Sequence, residues 1–232
     1  MILTKRPKAD ASLRIGVKML SSSDLLTCDR FVGLDEISLD LYRDFSENIL
    51  LQRRFHYFFN DGTDIIVEFK EFAIRHLLGI QHIDSRIEKN QLFQRIKEGL
   101  KLDDFETDAQ VRRRYKNCKP RIRMFACIYT MLRYGRVFHC IEQYVPNTTD
   151  VKMDYLLYRE VGAKGFHLGI RHELGAYLPL TILVGKEIYK DKYVDYKDEK
   201  IVSRLVISDI TSGEIIEDII YSESFIVSDG VK

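Results

Sequence analysis

The chain has 232 residues, 45% hydrophobic and 31% charged, with four Pro, no Trp and four Cys. That apolar content excludes a disordered chain, and the scarcity of Pro and Cys excludes collagen-like, low-complexity and disulfide-scaffold classes. Lys and Arg total 36 against 35 Asp and Glu, so a net charge of +1 gives no first sign of a polyanionic partner.

The first ten residues, MILTKRPKAD, lack the apolar core of a secretory signal. SSSDLLT at 21–27 predicts a capped helix start with Ser23 or Asp24 near the cap. Leu39, Leu41, Tyr42, Phe45 and Ile49 recur at near-helical spacing and predict a helix over 38–51. RRFHYFFN and DIIVEFK flank Asp61-Gly62, the pattern of a β-hairpin. EFAIRHLLGI at 71–80 suits a helix that Gly79 would end.

Residues 86–134 read as helical. Thr107 and Gln110 resemble a capping box, Pro120 sits where a helix can begin, and Gly135 where one can stop. Strand patterns then follow at 136–141, 154–160, 165–171, 178–184 and 202–207. Their short connections predict antiparallel pairing. The expected fold is α+β, with an N-terminal helical and hairpin part and helices packed on a mainly antiparallel sheet. The longest apolar stretch, Tyr177 to Gly185, is about half a membrane span, so a soluble, cytoplasmic protein without a membrane partner is expected. Cys28, Cys118, Cys127 and Cys140 form no CxxC pair, and read as reduced, buried thiols rather than a zinc site.

The near-zero net charge is an average over unlike segments. Residues 1–85 carry net −2, 86–136 net +8, 137–186 net zero and 187–232 net −5. From Arg112 to Arg136 there are nine basic residues and no acidic one, and seven of the nine are Arg. Such a run is either a solvated face paired with the acidic end or a phosphate-binding surface. The preponderance of Arg favours phosphate.

No P-loop, no GxGxxG after a strand, no HExxH and no GxSxG is present. His, Arg, Lys, Tyr and Thr remain, the set that metal-free RNA cleavage uses. A base deprotonates the 2′-OH, a cation holds charge on the phosphate oxygens, and an acid protonates the leaving 5′-oxygen. Two stretches fit. FKEFAIRHLLGI brings Lys70, Arg75 and His76 together. KGFHLGIRH, read as a strand, puts His167, Gly169 and Arg171 on one face, with the glycine leaving room for a phosphate. Thr181 in LPLTILV either bonds locally or points into a site. His76 equally suits a hydrogen-bonded core position, and the strand face equally suits plain solvent exposure.

These pieces, in the order FKEFAIRHLLGI, YLLY, GFHLGI and YLPLT, resemble the phage-associated barnase/EndoU/colicin/RelE-like (BECR) nucleases over about residues 55–207. The resemblance implies a metal-independent ribonuclease fold with no cofactor. It directs attention to His76, then to His167 and Thr181 with Arg171 nearby. Residues 1–50 would be an accessory segment, 51–210 the nuclease domain and 211–232 an acidic C-terminal segment.

The function expected is an endoribonuclease acting as a toxin or phage-defence effector. His76 and His167 would be acid and base, with Arg171 and Thr181 holding phosphate. Arg112, Arg113, Arg114, Lys116, Arg121 and Arg123 would bind the RNA backbone, with Lys164 and Tyr177 as further substrate contacts. Expected partners are RNA (tRNA or mRNA) and an inhibitor or antitoxin. The alternatives are a non-catalytic nucleic-acid-binding module and a protein-interaction component on the same fold.

Overall fold

Side-chain caps start the first two helices. Ser21 caps α1 (Ser22–Leu25), and its own amide donates to the Asp24 carboxylate at 2.8 Å. The cap lies ahead of both residues expected for it, because the reciprocal Ser21–Asp24 pair satisfies two free amides at once. Ser38 caps α2 (Leu39–Asn48), whose Leu39, Leu41, Tyr42 and Phe45 are buried. A computed structural model describes residues 18–140, 153–173, 175–185 and 198–221. The expected strand over 136–141 extends by one residue outside these.

The hairpin forms as β1 (Arg53–Phe59) and β2 (Asp64–Glu68) and leads directly into α3 (Glu71–Leu77) and α4 (Ile80–Ile83). The helical region contains α5 (Leu92–Lys97), α6 (Ala109–Phe125) and α7 (Ile128–Tyr134). Two local signals there are corrected. Asp108, not Thr107, caps α6, accepting from the amides of Gln110 and Val111 at 2.8 and 2.9 Å. Pro120 lies inside α6 rather than at a start. The helix runs through it with one amide donor fewer, held by the buried stripe Tyr115, Cys118, Ile122 and Phe125.

The remaining strands are β3 (Arg136–His139), β4 (Tyr155–Val161), β5 (Lys164–Glu173), β6 (Ala176–Gly185), β7 (Glu199–Lys200), β8 (Val202–Asp209) and β9 (Ile215–Ile220). The nine strands among the described residues form one sheet in the order β7-β3-β4-β5-β6-β2-β1-β8-β9. The fold is thus α+β with a mainly antiparallel sheet. One junction is parallel: β2 meets β6 through Val67 and Tyr177, which joins the N-terminal hairpin to the later strands.

The main core spans the whole described chain. It takes Leu25, Val32 and Phe45 from the first fifty residues, Phe125 and Leu132 from the helices, and Phe166, Ile182 and Ile207 from the sheet. Tyr42 donates its hydroxyl proton to the Ile122 carbonyl at 2.7 Å, which fixes α2 to α6. A smaller cluster of Phe138, Cys140, Met153, Leu156 and Tyr158 packs separately. All four cysteines are buried, and the Cys28 and Cys127 sulfurs are 3.8 Å apart. No helix among the described residues is long and apolar enough to cross a membrane.

Candidate functional site

The turn between α3 and α4 joins two histidine-bearing helices beside α6. Gly79 has φ 74°, the left-handed conformation that disfavours side chains. A Cβ there would lie 3.1 Å from Cys118 Sγ and 3.5 Å from Arg121 Cδ. The Cys118 thiol donates to the Gly79 carbonyl at 3.5 Å. The bare glycine therefore lets α6 lie against the α3–α4 turn, with the Arg121 stem across it.

Two histidines flank this turn. His76, half-buried in the last turn of α3, has its pKa lowered by burial, then by the fields of Arg75, His82 and Lys89. His82, near the end of α4, has its pKa lowered by burial, then by Arg121 and Arg75. Every charged side chain acting on the pair is a cation, which favours the neutral imidazole. Arg75 is only 9% exposed, and its Nε has no hydrogen-bond acceptor.

A cleft of about 270 Å³ opens beside Arg121. Asn117, Pro120 and Arg121 of α6 line one side, and His167, Leu183, Val184 and Gly185 of β5 and β6 the other. His167 is 1% exposed, and burial pushes its pKa down to about 4, with the Leu183 backbone acting the other way. Its ring packs 4.9 Å from that of Tyr158. Gly165 accommodates both, since a Cβ there would sit 3.2 Å from His167 Cε1 and 3.3 Å from Tyr158 Cε2.

The basic run divides into two halves. Arg112, Arg113, Arg114 and Lys116 are exposed along α6, and no described carboxylate pairs with them. Beyond them the cations other than Arg121 are engaged. Lys119 pairs with Glu106 at 2.5 Å, Arg133 with Glu217 at 2.9 Å, and Arg136 with Glu199. Arg123 donates to the Val32 carbonyl and stacks over Phe31 at 3.8 Å, while Lys164 covers the same ring at 4.3 Å. Described acidic groups after residue 187 thus reach the second half and leave the first open.

The other expected residues lie elsewhere on the hairpin. Thr181 is buried opposite Gly169. The space expected to admit a phosphate at Gly169 is filled by the Met153 sulfur and by Thr181, whose Cγ2 would be 2.7 Å from an added Cβ. Arg171 pairs with Glu173 and faces Leu178 across the ladder. It lies four residues, about 13 Å of strand, from His167. Tyr177 sits in a row of rings at that end, 5.0 Å from His172 and 5.3 Å from Tyr155, with His139 5.4 Å beyond Tyr155.

A family model described as PBECR4, phage-Barnase-EndoU-ColicinE5/D-RelE like nuclease4, matches residues 39–223. The chain belongs to this nuclease family. No curated protein and no solved structure matches it. The nuclease match runs from α2 through β9, wider at both ends than the 55–207 resemblance, and contains the whole α3–α4–α6 corner. Within this nuclease, two residues of the corner escaped sequence reasoning. His82 lies three residues after Gly79, close enough that the helix-ending glycine could have signalled it. Arg75 was seen beside His76, but the burial of its Nε without an acceptor is a tertiary fact with no sequence signal.

Proposed function

We propose that the chain is a metal-independent endoribonuclease whose reaction centre is the α3–α4–α6 corner. The observation that carries this reading is Arg121 lying across the Gly79 turn between the helices of His76 and His82, with burial first and neighbouring cations second lowering the pKa of both imidazoles. Membership of a nuclease family supplies the substrate class, nucleic acid.

In this reading a neutral imidazole, His76 or His82, takes the proton of a ribose 2′-OH. The 2′-oxygen attacks the adjacent phosphorus and the P–O5′ bond breaks. The second imidazole, which takes up a proton beside the bound phosphate anion, gives it to the 5′-oxygen. The products are a 2′,3′-cyclic phosphate and a free 5′-hydroxyl. Arg121 holds charge on the non-bridging oxygens. The exposed row Arg112, Arg113, Arg114 and Lys116 guides the RNA backbone towards the cleft. His167, neutral near pH 7, forms part of the cleft wall.

A toxin or phage-defence role, restrained by an inhibitor, extends the same reading. Its support is the phage association in the family description. The test is incubation of purified protein with end-labelled RNA in EDTA, with the 3′ ends analysed chemically. Cyclic phosphate ends are expected. Salt-sensitive binding without any product across RNA types would instead identify a non-catalytic binding module.

A further inference from the structure

Two thiols that the proposed reaction leaves unused face each other at the base of the N-terminal arm. Cys28 lies in the stretch after α1, ahead of the family match at 39–223, and Cys127 lies in the junction between α6 and α7. Their sulfurs are 3.8 Å apart, across 99 residues of chain. Both backbones are braced there. The Thr130 hydroxyl is 2.7 Å from the Cys28 carbonyl and 2.9 Å from that of Cys127. The Arg30 carbonyl is 3.1 Å from the Cys127 sulfur and 3.7 Å from the Cys28 sulfur. Noncovalent contacts hold the arm around the pair, since Arg159 joins Asp29 at 2.7 Å and Arg123 reaches the Val32 carbonyl.

The two thiols are not equivalent. Cys28 is 8% exposed, whereas Cys127 is sealed. As a donor to Cys28, the Cys127 thiol lowers the Cys28 pKa against the effect of burial, and its own is raised. Cys118 and Cys140 have their pKa raised by burial. A thiolate is the nucleophile towards peroxide, so the pair combines an attacking sulfur with a resolving one.

We propose that Cys28 and Cys127 form an oxidation-sensitive latch, a dithiol that hydrogen peroxide converts to a disulfide joining the N-terminal arm to the α6–α7 junction. The Cys28 sulfur, as thiolate, attacks one peroxide oxygen and the O–O bond breaks. The departing hydroxide takes up the proton that Cys28 released and leaves as water, with Cys28 now a sulfenic acid. The Cys127 sulfur then attacks the Cys28 sulfur and the S–O bond breaks. That hydroxide takes the Cys127 proton and leaves as a second water. Two thiols are oxidised to one disulfide, and one peroxide is reduced to two waters. The sulfurs close by about 1.8 Å to reach a bond length of about 2.05 Å. The new bond closes a loop that runs from the arm through α6, which restricts the unfolded chain.

The test reads the thiols and stability, not cleavage. The full chain is reduced, freed of reductant and treated with hydrogen peroxide. Remaining thiols are alkylated, and the protein is digested without reductant. A peptide pair joined through Cys28 and Cys127, two hydrogens lighter than its reduced parts, is expected, with Cys118 and Cys140 recovered alkylated. The treated protein is expected to melt about 5–10 °C above the reduced protein, an increment that dithiothreitol removes. Cys28→Ser and Cys127→Ser should each abolish the increment, and Cys140→Ser should keep it. In Cys127→Ser, Cys28 should stop at the sulfenic acid, which dimedone labels. The wild-type peptide map decides the matter if a variant does not fold. Wild-type Cys28 that stays free while methionines oxidise, or that is converted to sulfinic acid without linking to Cys127, overturns the proposal. A link that forms without raising Tm, or an increment that survives in Cys28→Ser, overturns it as well.

Discussion

The α3–α4–α6 corner and the turn end of the β5–β6 hairpin both collect histidines and arginines, yet they treat charge in opposite ways. At the hairpin end Arg171 has Glu173, and Lys200 beside the ring row has Asp61 at 2.5 Å. At the corner Arg75 and Arg121 have no described carboxylate, and two histidines are pushed towards neutrality by burial first and by neighbouring cations second. A surface whose charges are internally matched has little to gain from an anion. A surface left unmatched, at a cost in folding free energy, gains its countercharge from whatever binds there. Residue type alone does not separate the two regions; pairing does.

A charge reversal separates them directly. Arg121→Glu should lower kcat/KM on RNA by about 10²–10³-fold, the scale for removal of a charge-stabilising donor. Arg171→Ala should cost less than about threefold, because its guanidinium is already matched within the strand. Steady-state cleavage of one defined RNA by both variants makes the comparison.

His167 sharpens the contrast between a cleft wall and a titrating centre. Its folded pKa of about 4 lies below the unfolded value near 6.5, so protonation favours the unfolded chain. Stability from this group is complete above about pH 6.5 and is lost as the pH falls towards 4, by ~3 kcal/mol in all. Denaturant melts of wild type and His167→Leu should therefore diverge between pH 6.5 and 5, wild type losing stability faster. Equal slopes would mean that His167 is not held neutral by burial.

A smaller effect tests the two halves of the basic run. Replacing Arg112, Arg113 and Arg114 with Ala should flatten the dependence of log affinity on log salt by about 2, at roughly 0.7 per phosphate contact on single-stranded RNA. Replacing Arg133 and Arg136, which Glu217 and Glu199 already hold, should leave that slope almost unchanged.

Much of the corner was legible in the sequence because its signals are local. The FKEFAIRHLLGI segment shows a helix, a histidine in its last turn and the glycine that ends it, all within a dozen residues. The β5–β6 hairpin was legible from strand alternation. The setting of Arg75 was not, since neither its burial nor its unsatisfied Nε is written in its neighbours. The closure of the sheet by β2 and β6 rests on Val67 meeting Tyr177, 110 residues away, which no local pattern encodes. β9 was hidden for another reason: Ile215, Ile216 and Ile220 are exposed and interleave with Glu217 and Asp218, so the segment reads as an acidic tail. Its pairing with β8 and the Arg133–Glu217 bridge hold it in the sheet. Gly169 misled because an empty position in sequence became a filled one in space, occupied by Met153.

In the proposed reading RNA is cut at the corner and not at the hairpin end. The most direct measurement compares His76→Ala with His172→Ala on one labelled RNA in EDTA, both variants first shown to melt like wild type. The account predicts a loss of about 10²–10⁴-fold in the rate of cyclic phosphate formation for His76→Ala, with His172→Ala within about threefold of wild type. Retained cleavage in His76→Ala together with its loss in His172→Ala would contradict it and move the reaction to the row of rings at Tyr177.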